Sequence, residues 1–134
     1  MKTEKKCADI VGESLQRELE VIEDLWAVEC GEKPESEYGL LSEYGLCFDF
    51  VPAGTFSDQD GGYFRYQISW GGPAEEFRFY CDPQNVPYRI EFWYLDWFDG
   101  ASAVLTGPDK ELLLNIWGLF DELGCVKKAL RGAG

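Results

Sequence analysis

Histidine is absent from the 134-residue chain. Every triad, metal site or general base that depends on an imidazole is thereby excluded, and a cysteine nucleophile would have to act without its usual partner base. Positive charge is scarce: twelve Lys and Arg face 25 Asp and Glu, for a formal net charge of -13. Phosphate backbones are bound through clustered Lys and Arg. A field of this sign repels polyanions and anionic membrane surfaces alike, so direct binding to nucleic acid or to a membrane is not expected. No C-x-x-C pair occurs among Cys7, Cys30, Cys47, Cys81 and Cys125, which leaves no zinc-site spacing. No apolar run approaches membrane-spanning length, and the first residues, MKTEKKCADIVGESLQ, lack the apolar segment of a secretion signal. With an odd cysteine count, the expectation is free thiols in a reducing cytoplasm.

Two short stretches resemble ligand loops and fail on inspection. An EF-hand started at Asp58 in SDQDG (residues 57–61) would need ligands where Gly62 and Ser69 stand. Trp70-Gly71-Gly72 lacks the lysine and the spacing of a phosphate loop. Both read as turns. Neither points to a cofactor or a metal.

What is present is apolar, aromatic and acidic. Hydrophobic residues make up 46% and aromatics 16%, enough for a ring-rich core in a chain of single-domain length. Residues 5–30 read as an amphipathic helix, with Cys7, Val11, Leu15, Leu19, Ile22 and Trp26 on one stripe and Leu25 widening it. Asp9, Glu13, Glu20 and Asp24 fall on another face, and Gly31 suits the stop. Residues 32–43 carry Pro34, Gly39 and a run of acids, and read as an exposed connector.

Alternation then takes over. Four strands are predicted over residues 44–51, 63–70, 75–81 and 88–95. Their inward sets are Tyr44, Leu46, Phe48 and Phe50; Phe64, Tyr66, Ile68 and Trp70; Phe77, Phe79 and Cys81; and Tyr88, Ile90, Phe92 and Tyr94. Short turns favour an antiparallel meander. A second helix starts at Thr106 with Pro108 in its first turn, presents Leu112, Leu113, Ile116, Leu119, Phe120 and Leu123, and ends at Gly124. Residues 125–131 add a last helical turn. The expected fold is a single α+β domain over residues 1–134, in the order α-β-β-β-β-α: a four-stranded antiparallel sheet with its N-terminal and C-terminal helices on one face.

Function is read from charge and rings. The face opposite the helices carries Arg65, Gln67, Glu76, Arg78, Arg89 and Glu91. If strands pair in sequence order, opposite charges meet there, and the excess of acid is left to helices and loops. The first helix's carboxylate row, Glu13, Glu20 and Asp24, can be read as a DNA mimic, because a four-residue step rises about 6 Å, close to a phosphate spacing. Its plainer reading is a solvated face. Residues 90–102, IEFWYLDWFDGAS, hold Trp93, Asp96, Trp97, Phe98 and Asp99. They read as an exposed partner patch, as a carboxylate pair for acid-base work, or as a strand packed on both faces running into a turn at Asp99-Gly100.

The stretch FRYQISWGGPAEEFRFY, followed by IEFWYLDWFDGAS, resembles small acidic proteins of bacterial plasmids, phages and integrative elements. The likeness covers roughly residues 40–124. It implies an anti-restriction or anti-CRISPR factor that occupies the basic nucleic-acid groove of a host defence complex. The partner would be a basic protein or protein complex, contacted through Glu13, Glu20, Asp24, Trp93, Asp96, Trp97 and Asp99. Two other classes stand beside this one: a small enzyme using Asp96, Asp99 or a cysteine, and an immunity or accessory protein for a basic toxin.

Overall fold

The computed structural model describes residues 7–45, 47–55, 61–69, 73–96 and 99–133. Helix α1 spans Cys7–Glu29, and five strands follow: β1 Cys47–Val51, β2 Tyr63–Ser69, β3 Ala74–Cys81, β4 Pro87–Asp96 and β5 Asp99–Val104. Helices α2, Gly107–Glu122, and α3, Cys125–Ala133, complete the chain. The strands form one antiparallel sheet in sequence order. The α+β class and the meander therefore hold, but the sheet has five strands rather than four.

The additional strand begins at Asp99-Gly100, where a turn was expected. Ala101 and Ala103 of β5 stand opposite Tyr94 and Phe92 and pack on the core, and α1 lies against this strand. A helix that approaches so closely fits side chains of Cβ size, so β5 lacks the bulky alternation that marks a strand.

One sheet face carries Phe64, Tyr66, Phe77, Phe79, Ile90 and Phe92, all buried. They form a single cluster with Ile22 and Leu25 of α1, Leu113, Ile116, Trp117 and Phe120 of α2, and Val126 and Ala129 of α3. All three helices thus cover the same face. Trp117, absent from the predicted stripe of α2, is central: its ring lies 4.9 Å from Phe64, 5.2 Å from Phe79 and 5.8 Å from Phe48, centroid to centroid. Two residues predicted to face inward do not. Leu123 is 64% exposed, because α2 ends at Glu122 and Leu123 caps it. Tyr88 is 62% exposed at the start of β4, where the strand has just left the Asp82–Val86 turn. Thr106 occupies the cap position of α2 without a side-chain capping bond, so Pro108 sets that start.

The expected strand over residues 44–51 begins only at Cys47. Leu46, Trp70-Gly71-Gly72, Trp97, Phe98 and most of the SDQDG loop lie outside the described residues. Cys30, Cys47, Cys81 and Cys125 are free thiols; burial, then the neighbouring Asp82, pushes Cys81 up to about 12. Among the described residues, no helix is long and apolar enough to cross a membrane.

Candidate functional site

The sheet's other face is built from charges that answer one another. Asp49 and Arg65 are direct cross-strand neighbours, and the Arg65 guanidinium donates to both carboxylate oxygens at 3.0 and 2.7 Å. Arg78 stands opposite Glu91 in register but does not pair with it. Its guanidinium lies over the rings of Trp93, 4.0 Å from the centroid, and Tyr63, at 4.6 Å. There it donates to Glu76 of its own strand at 2.7 Å. Glu91 instead accepts from Arg89 at 2.7 Å, the Trp93 indole at 2.9 Å and the Tyr80 hydroxyl at 3.1 Å. Burial, then Glu91's charge, pushes Tyr80 up to about 12.

Opposite charges do meet on this face, one pair across strands and two along a strand. The cation–π contacts account for the difference, each worth about 0.5–2 kcal/mol. The long side chains lie flat over the sheet, so Tyr63, Gln67, Glu76 and Glu91 are buried although they are not among the residues packed with the helices. All three arginines of the sheet are thus committed within it.

On α1 and the connector the balance is different. Eleven acids fall between Asp9 and Glu43, against two bases, Arg17 and Lys33. On α1, Glu13, Glu20 and Glu23 are exposed. Seven residues make nearly two helical turns, so Glu13 and Glu20 share one stripe about 10 Å apart. Asp24, on the same stripe, has a different role. Its carboxylate accepts from the Lys33 ammonium and the Ser36 hydroxyl, and these bonds, Lys33's first, hold it below the usual range.

Those bonds fold the connector back onto the end of α1. Gly31, at φ 79, ends the helix, and the Glu32 amide donates to Ala27 O at 2.8 Å. Glu32, Glu35, Glu37 and Glu43 then stand exposed. Among them Tyr38 is 46% and Leu40 50% exposed. This pair of apolar side chains inside an acidic surface was not singled out from the sequence; its signal was the Tyr-Gly-Leu step in an otherwise polar connector.

The remaining predicted residues are dispersed. Trp93 is half-buried against Arg78 on the sheet. Asp96 and Asp99 are neighbours at the end of the β4–β5 pairing, and Asp99 accepts from the Gly100 amide at 3.0 Å. Trp97, between them in sequence, lies outside the described residues. A groove of about 550 Å³ between β1 and α3 is lined by Cys47, Phe48, Asp49, Phe50, Cys125, Lys128, Ala129 and Gly132. Its carboxylate, Asp49, is already held by Arg65. No group of His, Cys, Asp or Glu among the described residues is arranged to hold a metal ion. No family model, curated protein or solved structure matches this chain.

Proposed function

We propose that the chain is a protein-binding inhibitor of the anti-restriction or anti-CRISPR type, which presents α1 and its connector to the basic nucleic-acid groove of a host defence complex. One observation carries this reading: the acid excess is segregated. The sheet's cations are consumed by acids within the sheet, whereas Glu13, Glu20, Glu23, Glu32, Glu35 and Glu37 stand exposed on α1 and its connector. Such a surface steers encounter with a basic partner. Tyr38 and Leu40 supply the apolar contact that charge alone does not.

The test is capture from bacterial lysate with the wild-type chain and with a triple variant, Glu13→Gln, Glu20→Gln and Glu23→Gln, followed by competition with nucleic acid. A nucleic-acid-processing complex retained by the wild type, lost with the triple variant and displaced by its own DNA or RNA is the expected result. Capture of a single basic toxin instead assigns the same surface to an immunity protein. Equal capture by both chains removes the acidic surface from the account.

A further inference from the structure

Behind the exposed acids, α1 buries one of its own. The apolar stripe of this helix passes through Ser14 and Glu18, which are 1% and 7% exposed. Glu75 of β3, 8% exposed and on the same sheet face as Phe77 and Phe79, lies within reach of the Glu18 carboxylate and its charge. The Tyr44 hydroxyl, from the connector, donates to Glu18 Oε2 at 2.5 Å. Tyr44 is fixed in turn by the Tyr66 hydroxyl, which donates to its carbonyl oxygen at 3.0 Å. Gly45 lies so close to Tyr66 that a Cβ there would come within 2.7 Å of the ring. Arg17 approaches Glu75 Oε1 only to 3.6 Å and is itself largely exposed. The second oxygen, Glu75 Oε2, is buried and has no hydrogen-bond donor among the described residues.

A buried, unpartnered carboxylate oxygen beside a second buried carboxylate is costly when both groups are ionised. One proton removes both costs: it cancels a charge and gives the orphan oxygen a hydrogen bond to make. We propose that Glu18 and Glu75 hold a single proton between α1 and β3, and that its loss to solvent loosens α1 from the sheet. The pair is a pH-sensitive latch on the element that carries the acidic surface. Among the described residues, the charged and titratable groups around the pair are Arg17 of α1, Tyr44 of the connector, Tyr66 of β2 and Tyr94, opposite Glu75 on β4. Burial first, then the charge of Glu18, raises Glu75 above the ordinary carboxyl range, and Arg17 only partly offsets this. The proton sits at Glu75 and faces Glu18, whose carboxylate already accepts from Tyr44.

The latch predicts that the folded chain binds one more proton than the unfolded chain between the ordinary carboxyl range and the raised value of Glu75. In that window the folded-to-unfolded ratio falls by up to about tenfold per pH unit. The experiment is denaturant unfolding from pH 5 to pH 8.5 on wild type, Glu75→Gln and the surface control Glu13→Gln. Glu75→Gln, which keeps a hydrogen-bond donor and cannot ionise, flattens the dependence and gains on wild type as pH rises, while Glu13→Gln tracks wild type. Parallel curves for wild type and Glu75→Gln overturn the latch. Should Glu75→Gln fail to fold, carboxyl carbon NMR of the wild type decides. A buried glutamate pair titrating above the remaining glutamates supports the latch, and all glutamates titrating together in the ordinary range overturns it.

Discussion

The open face of the sheet and the outer face of α1 with its connector use the same charged residue types to opposite ends. On the sheet, Asp49, Glu76 and Glu91 each have an arginine at hydrogen-bond distance, and rings fill the spaces between. On α1 and the connector, acids outnumber bases by eleven to two, and Glu13, Glu20, Glu23, Glu32, Glu35 and Glu37 stand exposed. A charge with a buried partner is part of the fold, and removing one member leaves the other stranded. A charge in solvent contributes little to stability and is free to act at long range. Burial and partners separate the two classes; residue type does not.

The largest effect that sharpens this contrast is expected from Arg78→Ala. It leaves Glu76, 2% exposed, without its cation and removes the guanidinium between Tyr63 and Trp93. Denaturant unfolding should show a loss of about 3–5 kcal/mol. The matching change on the other face, Glu20→Gln, should leave stability within about 0.5 kcal/mol of wild type. Comparable losses at both positions would erase the distinction.

Asp24 is the exception on the acidic face, because it ties the connector to α1. Its carboxyl sits below the usual range, so the tie is fully present above the unfolded value and is lost as pH falls through the folded one. Asp24→Asn should therefore free the connector at neutral pH. The readout is cleavage after Glu32, Glu35 and Glu37 by a glutamate-specific protease, faster in the variant while the global melting temperature stays close to wild type. Unchanged cleavage would show that backbone bonds such as Glu32 N to Ala27 O hold the connector alone.

A small effect of the opposite sign is expected on the sheet itself, at Tyr63. Its hydroxyl is buried without a hydrogen-bond partner among the described residues, while its ring packs on Tyr80 and under Arg78. Tyr63→Phe keeps the ring and deletes the orphan group, so stability should stay level or rise by up to about 1 kcal/mol. A clear loss in thermal melting would mean that the hydroxyl has a partner in solution.

Periodicity made much of this architecture legible. Phe64, Tyr66, Phe77, Phe79, Ile90 and Phe92 alternate because only one sheet face meets the helices. Of the three sheet arginines, only Arg65 pairs across strands as the meander implied; Arg78 and Arg89 pair along their own strands. Legibility ended where tertiary contact overrode the local pattern. β5 packs alanines where α1 comes close, so it carried no strand signal. Trp117 reads as one large residue among the leucines of α2, and only the surrounding rings show that it sits at the centre. Glu18 was invisible as a core residue because a glutamate on a helix reads as solvent-facing; its burial depends on Tyr44 and Glu75, 26 and 57 positions away. Of the candidate contact residues, Glu13 and Glu20 stand exposed as read, Asp24 is engaged within the chain, and Trp93 lies against the sheet.

The most direct test of the acidic surface as the recognition element is association kinetics across a salt series, measured against the complex captured from lysate. The Glu13→Gln, Glu20→Gln, Glu23→Gln chain should associate about tenfold more slowly than wild type at low salt. Its rate should depend less on salt, with dissociation little changed. Equal association rates and equal salt dependence for the two chains would contradict the account, because charge would then play no part in finding the partner.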